Sequence, residues 1–212
     1  MAFNIPPNSI TRFQVGWSRL ALHLACCWWL ASAYWSALND TIGGDPVESL
    51  IHFYGLSALR LLLLSLVLTP LVRFSRQPAL MRLRRPLGLW AAAFATAHLA
   101  VYVVYDLQMN WALVLSEVIE RPYITVGFVA WLVLSVLAVT SLPRLVRALG
   151  KRWKPLHNTV YLAAALVCLH FLWSVKADIV EPGLYILILA VLLFLRKEKL
   201  FRYFRSSKPH NG

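Results

Sequence analysis

Six apolar runs, at about 17–38, 50–72, 87–105, 123–141, 156–174 and 183–195, alternate with short polar loops along the chain. A helix needs about 20 predominantly apolar residues to cross a hydrocarbon core roughly 30 Å thick. The first five runs meet that length. The sixth is short unless Leu200–Phe204 extend it along the interface. The pattern predicts an all-α, polytopic membrane protein, a six-helix transmembrane bundle. The first run has a rival reading: Arg12 and Arg19 precede an apolar stretch ending in Ala31-Ser32-Ala33, as in a cleavable signal peptide. The run continues past that point through Tyr34, Trp35 and Leu38, which favours a membrane helix.

Charge then orients the helices. Eighteen of the 21 Lys and Arg fall on one side: Arg12 and Arg19, the loop Arg73 to Arg85, the loop Arg144 to Lys154, and the tail from Arg196 to Lys208. Eight of the nine carboxylates fall in the other loops, with Asp40, Asp45 and Glu48 in the first of these. Cytoplasmic loops carry the excess of Lys and Arg, so both termini are expected in the cytoplasm. The net charge of +12 is therefore a topology signal and not a nucleic-acid footprint. With 59% hydrophobic and only 14% charged residues, and a mean hydropathy of +0.63, the composition excludes a soluble domain of this size. Trp17, Tyr123, Trp153 and Trp173 sit at helix ends as interfacial anchors.

Cys26, Cys27 and Cys168 all lie inside apolar runs, so neither a disulfide framework nor a CxxC metal motif is present. No GxGxxG and no GxxxxGK[ST] occurs, and no internal repeat is evident. One membrane domain over residues 1–212 is expected, with electrons or substrate arriving from other molecules.

The chemistry lies in histidine. His23, His52, His98, His157 and His170 fall in or at the edge of apolar runs, and His210 is in the tail. A proton-driven transporter usually places Asp or Glu at mid-membrane, and this chain does not. Buried neutral imidazole is instead the usual axial ligand of haem iron. His98 lies twelve residues past Pro86 and His170 fifteen past Pro155, roughly 18 and 22 Å into helices that both start inside. The two can clamp one haem from opposite faces, in the outer half of the membrane. His157 lies thirteen residues before His170, rotated from it by about 140° on an ideal helix, which a kink, a π-bulge or two haems approached from different sides would reconcile. Fourteen residues before His98 stands Arg84, a poor iron ligand because it stays protonated, but suited to a haem propionate. An inner site with His157 on one side and an unknown partner stays open.

RRPLGLWAAAFATAHLAVY (84–102), RPYITVGFVAW (121–131), GKRWKPLHNTVYL (150–162), LHFLWSVK (169–176) and GGDPVESLIHFYG (43–55) carry a resemblance over roughly residues 15–205. The chain resembles the haem-binding membrane subunits of bacterial periplasmic methionine-sulfoxide reductase systems (MsrQ/YedZ type), short members of the ferric-reductase-like transmembrane superfamily. That superfamily carries paired haem histidines on helices three and five. His98, His157 and His170 match three of the four positions, and Arg84 stands at the fourth. The resemblance implies haem b as cofactor, with one site expected and a second left open, and an association with FMN that no motif here locates. It implies electrons drawn from the quinone pool or a cytoplasmic flavin reductase, and delivered to a periplasmic molybdopterin-containing catalytic subunit that repairs oxidised methionines. The chemistry on the substrate is then the partner's. It also implies a location in the bacterial inner membrane.

Secondary candidates follow. His23 can line a quinone or flavin pocket or assist an inner haem. His52 can contact the outer haem or the partner. Arg60, an intramembrane arginine, calls for a propionate or a path to the interface. Two rival functions stand beside the main one: a stand-alone transmembrane metal or quinone reductase, and a haem-free transporter that uses the histidines.

Overall fold

The computed structural model describes residues 11–41, 43–175 and 179–196. Lys176, Asp178, Leu200–Phe204, His210 and the basic tail after Arg196 lie outside the described residues. The described residues are helical throughout, joined by short turns. They form α1 (Arg12–Leu38), α2 (Pro46–Ser75), α3 (Arg84–Val101), α4 (Trp111–Glu120), α5 (Pro122–Val139), α6 (Pro143–Leu149), α7 (Trp153–Asn158), α8 (Val160–Ser174) and α9 (Val180–Phe194).

Local chemistry sets the boundaries. Thr11 and Gln14 form a reciprocal capping box that starts α1 ahead of the apolar run. Asp45 accepts from the Val47 and Glu48 amides, and Pro46 occupies the first helical position of α2, where its missing N–H costs nothing. Pro122 and Pro143 open α5 and α6 in the same way.

Four stretches are long and apolar enough to cross a membrane: Pro46–Ser75, Pro78–Asp106, Pro122–Val139 and Pro143–Ser174. The protein is a multi-pass membrane protein. α9 is apolar but shorter. α1 has ample length, yet its tryptophans, serines and His23 keep it out of the most apolar set. The run expected at 156–174 is divided: α7 ends at Asn158 and α8 begins at Val160, with the Thr159 amide turning back to Leu156. α3 passes at its C-terminal end into a π-helical turn, Tyr102–Asp106. α4 occupies what the hydropathy pattern leaves as a loop. Asn110 caps it, and Trp111, Leu115 and Ile119 are exposed along it.

α2 is the central element. Its apolar span is 56% buried, at least twice the share of any other, and it packs against α1, α3, α8 and α9. Lipid is as apolar as leucine, so close packing, not exclusion from water, holds such helices together. Small residues permit it: Ala91 and Ala92 on α3, Ala163 and Ala164 on α8, Ala130 on α5. Pro70 lies inside α2 and has no N–H for the Leu66 carbonyl one turn back. Arg196, buried just past α9, donates to that carbonyl and to the Tyr161 hydroxyl, and lies over the Tyr161 ring. The defect in one helix is thereby closed by the end of another.

Candidate functional site

α3 and α8 bring His98 and His170 together near the C-terminal ends of the two helices. Their ring centres are 6.1 Å apart and their planes are nearly perpendicular, at 83°. Each imidazole is fixed by its Nδ1. His98 Nδ1 lies 2.8 Å from the Ile51 carbonyl of α2, and His170 Nδ1 lies 2.7 Å from the Tyr123 carbonyl of α5. A carbonyl only accepts, so each Nδ1 carries the proton. Each Nε2 is then an unprotonated lone pair. This tautomer, with a carbonyl behind it, is how metal-binding histidines are held. The Tyr123 ring also stacks on His170, at 6.2 Å between centres.

A metal ion bonded to two imidazoles at about 2 Å places the ring centres roughly 6 Å apart, which the pair already satisfies. Among the described residues no group of three or more His, Cys, Asp or Glu converges on a point. Two imidazoles alone do not fill the coordination sphere of zinc or of non-haem iron. They do complete that of a metal whose other ligands come from a macrocycle, and this is the fit of the pair to haem.

The remaining candidates are distributed elsewhere. His157, on α7, stacks on Trp153 at 4.1 Å and places Nε2 3.1 Å from the Thr140 hydroxyl. That hydroxyl donates to the Val136 carbonyl at 2.6 Å, so it accepts from His157 and engages its Nε2 as a donor. Arg84 is within electrostatic range of His157 and of Arg196. Arg60 reaches neither histidine of the pair: it donates to the Tyr185 hydroxyl at 2.8 Å and meets Glu181 at 3.8 Å, both on α9. His52 faces Phe171 at 6.2 Å, beside the pair. His23 accepts at Nδ1 from the Trp90 indole at 2.9 Å.

Residues that hydropathy and histidine spacing do not single out complete the end of the bundle near the pair. Glu117 of α4 accepts from the Tyr102 hydroxyl at 3.0 Å and pairs with Arg121 at 2.9 Å, and Arg121 contacts the Tyr123 hydroxyl. The polar surface above the histidine pair is thus tied to the backbone that holds His170. The Asn110 cap and the apolar spacing of Trp111, Leu115 and Ile119 are the sequence signal for α4.

Residues 54–168 match the family described as the ferric reductase like transmembrane component. A Cronobacter sakazakii protein named the heme-binding subunit MsrQ of protein-methionine-sulfoxide reductase is 44% identical over 198 residues, 93% of this chain and 99% of that one. A Salmonella paratyphi B protein of the same name is 43% identical over 197 residues, 92% and 99% of the two chains. No solved structure matches.

Proposed function

The chain belongs to the ferric-reductase-like transmembrane family, among its heme-binding subunits of the MsrQ type, and from that premise we propose that His98 and His170 are the axial ligands of one b-type haem that relays electrons outward. Membership makes the protein a haem-containing membrane electron-transfer subunit. The observation that carries the finer reading is the facing imidazole pair, with both Nδ1 atoms committed to carbonyls.

When bound, the haem supplies a one-electron carrier. The chain's residues do the rest. Ile51 and Tyr123 hold the proton of each imidazole on Nδ1 and leave Nε2 as the unprotonated nitrogen. Phe171 and Tyr185 meet at a tilt of 58°, with 6.1 Å between their ring centres. Arg60 is neutralised by Glu181, and Arg84, near His157, is left to face an anionic group at the inner end. The relay works in a single domain of six membrane-crossing segments, α1, α2, α3, α5, α7–α8 and α9, with both termini cytoplasmic and the histidine pair nearer the periplasm. Electrons enter from the quinone pool or from a cytoplasmic flavin reductase, with FMN as intermediary in the second case. They leave to a periplasmic molybdopterin-dependent reductase that repairs methionine sulfoxide, in the inner membrane of the bacterium.

Reconstitution tests this. In vesicles holding the haem-loaded protein, quinol should reduce the haem. Adding a periplasmic molybdopterin reductase with methionine sulfoxide should then reoxidise it. Reoxidation by a ferric chelate but not by that reductase would favour a stand-alone metal reductase, and a colourless protein would leave the transporter.

His157 gives a second expectation. Its Nε2 is engaged by Thr140, and it belongs to no group of three or more His, Cys, Asp or Glu among the described residues. His157→Ala should keep the low-spin haem absorbance at wild-type intensity per protein. A halved haem content would restore an inner site.

A further inference from the structure

The two histidines of the pair are seated by the same device, and the device includes residues with no chemistry of their own. His98 meets α2 at Ile51 and Gly55; His170 meets α5 at Tyr123 and Gly127. In both cases the glycine lies one helical turn after the accepting carbonyl. In both cases the histidine lies 47 residues after that carbonyl. The second set repeats the first 72 residues further on, from 51 to 123 and from 98 to 170. No repeat is visible in the letters of the sequence, yet the same seat is built twice, once by α2 against α3 and once by α5 against α8.

The physical need is specific. Inside a helix, a carbonyl already accepts from the amide four residues on. It has a second lone pair, but the side chain of that fourth residue stands over the approach to it. A glycine there leaves the approach open, and an imidazole ring fills the space. A Cβ built on Gly55 falls 2.9 Å from His98 Nδ1 and 3.1 Å from Cε1. A Cβ on Gly127 falls 2.6 Å from His170 Nδ1, 2.8 Å from Cε1 and 3.0 Å from Cγ. Gly88, on α3 away from the seat, has nothing within 4 Å.

We propose that Gly55 and Gly127 are positioning residues for the ligand pair, each opening a helix carbonyl so that an imidazole can donate to it and present Nε2 to the metal. This rests on the assignment of His98 and His170 as haem ligands. A methyl group at either site has two effects. It pushes the ring off its carbonyl, and it pushes it toward the opposing imidazole, where the spacing for a metal is already met. Loss of the hydrogen bond makes the imidazole a weaker electron donor. Ferric haem then loses more stabilisation than ferrous haem, and the midpoint potential rises.

The test is Gly55→Ala, Gly127→Ala and Gly88→Ala in the full-length, haem-loaded protein, read by haem content, spin state and midpoint potential. The first two should lower haem affinity by about 10–100-fold, the usual effect of losing a partner behind a metal ligand, and raise the potential of the haem that remains. Gly127→Ala should be the more severe, and Gly88→Ala should match wild type. Wild-type spin state and potential in both seat variants would overturn the proposal. Should those variants not accumulate, pulsed EPR of the ferric wild type decides, because the quadrupole coupling of each remote nitrogen reports its hydrogen bond. Two strongly hydrogen-bonded remote nitrogens support the seats, and a free one sinks them. Low-spin haem surviving in His98→Ala and His170→Ala would instead refute the ligand assignment itself, a separate result.

Discussion

His98→Ala and His170→Ala should each abolish the low-spin haem spectrum, and neither loss should be covered by another histidine. The argument is geometric. Bis-imidazole ligation needs two unprotonated Nε2 atoms within reach of one metal, and His98 and His170 have the matching spacing of ring centres with both Nδ1 atoms committed to carbonyls. His52 lies beside the pair, against Phe171. His157 is at the far end of the divided helix with its Nε2 engaged by Thr140. A single variant therefore leaves one axial position open, giving either high-spin haem or none. The wild type should carry a further mark. Imidazole planes held at 83° leave the two iron orbitals that accept from the ligands nearly equal in energy. The ferric protein should then show one highly anisotropic low-spin EPR signal, not the rhombic signal of parallel planes. Absorption and EPR spectra of purified wild type and both variants decide the matter. Low-spin haem at undiminished amount in either variant would show that the ligand lies elsewhere.

Depth along the helices was enough to pair His98 with His170, because a membrane makes helices nearly parallel and turns residue number into height. The cores of the apolar runs at 50–72, 87–105 and 123–141 likewise fall within α2, α3 with its π-helical end, and α5. What escaped was of three kinds. α4 is only ten residues long, and a window suited to membrane spans passes over it although Asn110 caps it. The break at Thr159 follows from a local choice, its hydroxyl bonding the Leu156 carbonyl at 2.7 Å, which no periodicity reports. Arg60 called for a propionate or a path to the interface on cost alone, and the carboxylate that meets it, Glu181, comes from a helix 121 residues later in the chain. The seats of the two histidines are harder still to see, since a backbone carbonyl has no letter of its own. Gly55 and Gly127 acquire meaning only when another helix sets an imidazole against them.

The largest effect on stability is expected at Phe94. This residue is fully buried on α3, one turn before His98, and its ring meets Trp29 at 6.0 Å, Tyr54 at 6.0 Å and Trp90 at 6.2 Å. Through them it joins α1 and α2 to α3. In a membrane the unfolded helices keep their apolar faces in lipid, so a buried ring stabilises by contact and not by leaving water. Truncation removes those contacts and leaves a cavity that three aromatic side chains cannot close without moving together. Phe94→Ala should cost about 3–5 kcal/mol, at the upper end for a core truncation. For a chain of this size that lowers the thermal midpoint by roughly 10 °C. Phe74→Ala, at an exposed position near the end of α2, should change it little. Haem absorbance followed during the melt adds a second reading. The hub lies one turn from a ligand, so loss of haem should move to lower temperature together with unfolding. An unshifted midpoint in Phe94→Ala would mean that α1 and α3 are held by something other than this aromatic cluster.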